Sequence, residues 1–132
     1  VEQRNVNPWT WQDGYGFSQA VEATGAQRVL YCAGQTSVDA DGKTLHAGDM
    51  AAQTAQALDT LETVLSEAGM SLANVVRLNY YVTDIELYFA EAAQLLSERQ
   101  AAAGIQAAGT LLGITRLAFP GLMIVIEATA VA

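Results

Sequence analysis

Positive charge is scarce in this chain: 132 residues carry 6 Lys and Arg against 14 Asp and Glu, a formal net charge of −8. The cations Arg4, Arg28, Lys43, Arg77, Arg99 and Arg116 are scattered singly. Nucleic-acid binders hold phosphates with clustered Lys and Arg, so this balance excludes nucleic acid as a partner. Cysteine and histidine occur once each, as Cys32 and His46. A single thiol forms no internal disulfide, and one of each builds neither a CxxC motif nor a Cys/His metal cluster. With no secretory signal to read, a reducing, cytoplasmic location is the expectation. No apolar run approaches the roughly 18 residues that cross a bilayer as a helix, so no membrane partner is expected. Charged residues of both signs make up 15% of the chain, below the ~25% of an average globular domain. With 52% hydrophobic residues, more side chains need cover than one small core supplies, and an oligomer is expected.

What is present divides into clear periodic segments. No linker, repeat or composition break interrupts them, so residues 1–132 read as one domain with an N-terminal arm over residues 1–15. That arm holds both tryptophans, Trp9 and Trp11. Two apolar runs, Phe17 to Ala23 and Arg28 to Ala33, flank a connector containing Gly25, which is a hairpin signal. Met50, Thr54, Leu58, Leu61, Leu65 and Ala68 recur at helical spacing; Asp49 is placed to cap the helix and Gly69 to end it. Asn74 to Thr83 alternates as a strand, with Val76, Leu78, Tyr80 and Val82 on one side. A second helix is expected from Asp84 to about Ala103, along Tyr88, Ala92, Leu95, Arg99 and Ala103. Thr110 to Leu117 and Leu122 to Ala130 read as two strands across a turn at Pro120-Gly121. The order β-β-β-α-β-α-β-β predicts an α+β fold, a six-stranded mixed sheet with two helices on one face. Both faces of the last strand are apolar except at Glu127, so the face without helices needs cover from another subunit.

Five blocks then carry a resemblance: GFSQAV (Gly16 to Val21), VLYCAGQTSVDADG (Val29 to Gly42), GDMAAQTAQALDTLETVLSEAG (Gly48 to Gly69), NVVRLNYYVTD (Asn74 to Asp84) and IEATAVA (Ile126 to Ala132). Together they resemble the Rid family, the reactive-intermediate deaminases also called YjgF. The resemblance implies a chorismate-mutase-like fold, a homotrimer whose sheets line an inner barrel, and small-molecule clefts between subunits. It implies no cofactor. The best-known members hydrolyse enamines and imines, using an Arg that grips the substrate carboxylate and a Glu, the first of E-I-E, that orients water.

Against that pattern the chain departs at both charged positions. The alignment places Gly109 where the family's Arg stands, or Ala108 after a one-residue shift, and Val125 where the water-orienting Glu stands. Only the second Glu remains, as Glu127. Phe17 stands in place of a frequent Tyr, Ala33 of a frequent Ser, Leu111 near a frequent Cys and Ala93 near a frequent Asn; Gly34 is kept. The expected ligand-binding set is therefore Phe17, Ala33, Gly34, Ala93, Gly109, Leu111 and Val125, with Glu127 as the one candidate catalytic acid.

Other residues weigh less. Arg116 has the wrong strand parity to replace an Arg at 109, and Arg77 and Arg116 fall where the family commonly carries bases at a surface or interface. Glu127, if buried, would titrate high and act as a base; the competing expectation is that it satisfies donors at a subunit interface. Cys32 reads as a small buried hydrophobe and His46 as a solvated loop residue. Tyr15, Tyr80 and Tyr81 are packing residues unless a hydroxyl reaches the cleft, and Trp9 and Trp11 pack the arm onto the oligomer. Gly14 and Gly16 lack the following helix that a dinucleotide loop needs. The first functional expectation is a Rid-family homotrimer that binds a small, largely apolar or aromatic molecule in inter-subunit clefts, without carboxylate-dependent deamination. The alternatives are a deaminase or hydrolase of a non-carboxylate enamine or imine, and a protein-interaction or holdase-like scaffold.

Overall fold

A helical apolar stripe and an extended one meet to make the core. The computed structural model describes residues 1–132 as β1 (Glu2–Val6), β2 (Ala20–Thr24), β3 (Val29–Gln35), α1 (Met50–Glu67), β4 (Val75–Val82), α2 (Ile85–Glu91), α3 (Ala93–Ala102), β5 (Leu111–Gly113) and β6 (Ile124–Val131). Short 3-10 turns span Trp11–Tyr15 and Leu72–Asn74. The periodicity of α1 buries Met50, Thr54, Leu58, Leu61 and Leu65 against β6 and β3. Asp49 caps it by accepting from the Ala52 N–H at 3.0 Å, and Gly69 follows at φ +73°, the left-handed geometry a glycine adopts without steric cost. On β6, Ile124, Ile126, Ala128 and Ala130 face α1 and are buried, while Val125, Glu127 and Thr129 face away and stay half-buried. Buried Gln53 links the long loops to this core: it donates to the Gly121 carbonyl at 2.7 Å and accepts from the Met123 N–H at 2.8 Å.

The α+β class and mixed sheet match expectation, and five details correct it. The strands form a two-stranded ribbon, β1-β2, and a four-stranded sheet in the order β3-β6-β4-β5, instead of one six-stranded sheet. The expected hairpin does not form. β2 pairs antiparallel with β1, because these mostly exposed strands suit a ribbon, whereas the inward Leu30 and Cys32 of β3 pack with Ala130 and Ala128 of β6. The second helix divides at Ala92 (φ −123°, ψ −31°). Its buried stripe becomes Tyr88, Ala92, Leu96 and Gln100, one residue away from the expected Leu95 and Arg99. The strand from 110 shrinks to Leu111–Gly113 and runs parallel to β4. An irregularity between Val75 and Arg77 also shifts the β4 register, so Val75 joins Leu78 and Val82 inside.

The helices cover one face of the four-stranded sheet and leave the other bare. That outer face carries Val29 and Tyr31 of β3, which are 50% and 80% exposed. Beside them lie Val125, Glu127 and Thr129 of β6, then Arg77, Asn79 and Tyr81 of β4. No helix is long and apolar enough to cross a membrane.

Candidate functional site

Where β4 and β5 separate from the divided helix, a cavity of about 720 Å³ opens. The inward residues Leu78 and Tyr80 of β4 form its floor, and Gly109, Thr110 and Leu111 one side. Tyr88 and Phe89 of α2, with Ala93, Leu96, Ser97 and Gln100 of α3, form the wall. The 3-10 turn brings Gly14 and Tyr15, followed by Phe17, to the mouth. Aromatic rings run around it edge to face: Trp11 with Phe17 at 5.7 Å, Tyr15 with Phe89 at 6.5 Å and Phe89 with Tyr88 at 5.4 Å between centroids. None of the lining residues is charged.

The cations are all engaged or placed elsewhere. Arg99 pairs with Asp59 at 3.1 Å and Glu62 at 3.0 Å, Arg4 pairs with Glu22 at 3.3 Å, and Arg28 donates to the Ala68 carbonyl at 2.9 Å. Lys43, Arg77 and Arg116 are exposed and outside the lining.

Gly109 shows a steric reason for its identity. A Cβ at this position would collide with the Leu78 carbonyl oxygen and lie 2.7 Å from the carbonyl carbon. The neighbouring ladder holds the two chains together: Leu78 N–H donates to the Ala108 carbonyl at 2.9 Å and Tyr80 N–H to the Thr110 carbonyl at 2.9 Å. Backbone occupies the space an Arg side chain would leave through, so Gly109 cannot accept one without opening the sheet.

The expected ligand-binding residues separate into two groups. Phe17, Ala93, Gly109 and Leu111 line the cavity. Ala33, Gly34 and Val125 do not; a Cβ on Gly34 would meet the Val125 Cγ2 at 2.5 Å, at the irregularity of β3 between Cys32 and Gln35. β3 and β5 are opposite edges of the sheet, three strand steps apart, or about 14 Å.

Glu127 lies on the outer face, across the sheet from the cavity. It accepts from the Tyr81 hydroxyl at 2.6 Å and from Asn79 Nδ2 at 3.0 Å. These bonds, Tyr81's first and Asn79's second, hold its carboxyl below the ordinary value despite partial burial, the reverse of the raised value expected of a buried base. The Tyr81 phenol is pushed up, first by its bond to Glu127 and then by desolvation and the negative charge beside it. Cys32 is half-buried, and burial raises its thiol pKa, which suppresses the thiolate. His46 is an exposed loop residue at φ +58°. Trp9 and Trp11 are each 60% exposed.

Of the three tyrosines considered from sequence, Tyr15 and Tyr80 line the cavity and Tyr81 does not. Sequence reasoning missed Tyr88, Phe89, Leu96, Ser97 and Gln100. The signal was a strict four-residue spacing from Tyr88 through Ala92 and Leu96 to Gln100, obscured by treating the helix as continuous.

These features define an α+β protein with a neutral, aromatic-walled cavity between a sheet edge and a divided helix. The model of the family described as Endoribonuclease L-PSP matches residues 14–132, and the chain belongs to that family, the YjgF/Rid group. It is similar to the crystal structure of YyfB from Yersinia pestis, a protein of unknown function of the conserved Rid protein family. The TM-score is 0.88, with 36% identity over 100% of both chains. Among curated relatives, "Protein mmf1, mitochondrial" of Schizosaccharomyces pombe is 41% identical over 70 residues, 53% of this chain and 40% of the relative. The 3-aminoacrylate deaminase RutC of Acinetobacter baylyi is 38% identical over 64 residues, 48% of this chain and 51% of the relative. The matches span about half the length of these curated relatives or less.

Proposed function

We propose that the chain forms a homotrimer and binds a small, uncharged, largely apolar or aromatic molecule in clefts completed between subunits. In this reading it lacks the carboxylate-dependent deaminase chemistry of its best-known relatives. The observation that carries the proposal is the cavity of about 720 Å³ with an aromatic wall and no charged lining residue. A carboxylate desolvated there would have no cation to offset the loss of water. The separation of the expected site residues supports completion between copies, since one ligand reaches both the cavity and Ala33 and Gly34 if a second subunit brings its β3 edge to the β5 edge of the first. The bare outer face, where Tyr31 and Val29 are exposed, supports sheet-against-sheet association.

Binding is favoured over hydrolysis because no carboxylate or imidazole lines the cavity and Glu127 sits across the sheet. Ribonuclease action, suggested by the family's description, would need phosphate-binding cations that the cavity lacks. An open cavity of this size also favours a ligand site over an interaction scaffold.

Two measurements test the proposal. Light scattering coupled to size exclusion is expected to give three times the 14.0 kDa chain mass. Ammonia release from enzymatically generated 2-aminoacrylate is expected to proceed at the uncatalysed rate. A monomer, or strong acceleration, overturns the reading.

A further inference from the structure

Gln100, at the cavity wall, has both ends of its amide committed. Its Oε1 accepts from the Ala107 N–H at 3.0 Å, and its Nε2 donates to the Tyr80 hydroxyl at 3.1 Å. The backbone donor fixes which end is oxygen, since a flipped amide would set two donors against each other. Tyr80 therefore receives a hydrogen bond, and its own O–H proton meets no protein acceptor. Beside it, Tyr88 is 5% exposed, its ring 6.3 Å from that of Tyr80 with 28° between planes. The Tyr88 hydroxyl pairs with no protein group, yet no side-chain polar atom is sealed away unpaired, so this hydroxyl keeps an accessible surface on a residue that lines the cavity.

We propose that Tyr80 and Tyr88 are a two-donor recognition element for a carbonyl-type oxygen on an uncharged aromatic ligand. The proposal rests on the reading of the cavity as a ligand site and names the class of ligand. The Tyr80 oxygen already accepts from Gln100, so its open role is donation; the unpaired Tyr88 hydroxyl can donate beside it, and an oxygen with two lone pairs uses both. A hydrocarbon would leave both donors desolvated and unpaired. Both groups stay in the donor form at neutral pH. Burial pushes the Tyr88 phenol up to about 12. Burial also raises Tyr80, with the nearby Tyr88 adding to the shift and the bond from Gln100 opposing it. The aromatic wall of Phe17, Phe89 and Tyr15 receives the ring of such a ligand.

The test compares benzophenone with its hydrocarbon isostere diphenylethylene, in which a methylene group replaces the carbonyl oxygen. Each is titrated into the wild-type protein and into Tyr88→Phe and Tyr80→Phe, followed by protein NMR shifts. The expected result is binding of the ketone about tenfold tighter than the isostere, the preference shrinking severalfold in each variant. The infrared C=O stretch of bound benzophenone is expected to fall in frequency with the wild type and to recover toward the free value with Tyr88→Phe. A merely structural role for the hydroxyl would not produce that recovery. Tyr88→Phe removes an oxygen without a protein partner, so its fold is expected to persist. Equal affinity for ketone and isostere, or an unshifted stretch, overturns the inference while leaving the neutral-ligand reading standing. Binding of neither compound overturns both.

Discussion

Replacing Gly109 with alanine tests whether the structure forbids a side chain at the position where the resemblance would put an Arg. The added Cβ would stand 2.7 Å from the Leu78 carbonyl carbon and closer still to its oxygen. The oxygen is the limiting contact, and relief requires the β4–β5 backbones to part by roughly 1.5 Å to restore ordinary van der Waals contact. The Leu78–Ala108 and Tyr80–Thr110 bonds, both 2.9 Å, and the Ala108–Val76 bond at 3.1 Å would then stretch beyond the ~3.2 Å of an effective N–H···O bond. At about 1 kcal/mol net for each bond, the loss is about 2–3 kcal/mol, or a fall of about 10 °C in Tm for a chain of this size. Wild type and Gly109→Ala are compared by urea and thermal denaturation at equal protein concentration, because the proposed assembly would make Tm concentration-dependent. Faster amide exchange at Leu78 and Tyr80 would locate the damage. Gly109→Arg is expected to fare worse and not to create a carboxylate site. A Gly109→Ala variant within about 0.5 kcal/mol of wild type would refute the steric reasoning.

Three further outcomes follow from the outer face and the β3 edge. Glu127 titrates below its ordinary value in the folded state, so its stabilising contribution is present above the unfolded value near 4.5 and is lost as pH falls through the folded value. Glu127→Gln should therefore flatten the fall in urea midpoint from about pH 6 to about pH 3; an unchanged acid limb would contradict the Tyr81–Glu127–Asn79 account. Tyr31→Asp places a charge on the bare outer face and is expected to dissociate the proposed trimer in light scattering, whereas retained assembly would move the interface elsewhere. Gly34→Ala would press on the Val125 methyl and cost about 1–2 kcal/mol. Adding Val125→Ala should recover most of that loss, and simple additivity in the double-mutant cycle would contradict the contact.

Periodicity alone made much of the fold legible. The spacing from Met50 to Leu65 identified the buried face of α1, and the Asp49 cap and Gly69 terminator fell where side-chain chemistry placed them. The alternation of β6 identified its inner face, Ile124 through Ala130. Strand pairing was less legible, because nothing local in β2 states that β1, and not β3, is its partner. A single irregular residue defeats periodicity as well. The break at Ala92 rotated the inward stripe onto Leu96 and Gln100, and the β4 irregularity brought Val75 inside. The site was half legible for the same reason. Phe17, Gly109 and Leu111 were reached through resemblance, whereas Tyr88 and Gln100 depend on the helix break. The collision at Gly109 is invisible in one dimension, since it comes from Leu78, 31 residues away in sequence.

The most direct test of the central claim is calorimetric titration of methyl benzoate against benzoate, an uncharged ester and its carboxylate, at neutral pH. A cavity with no charged lining residue predicts saturable binding of the ester and at least about tenfold weaker binding of the carboxylate. Benzoate binding as tightly as the ester, or tighter, would reveal a cation in the working site and contradict the account.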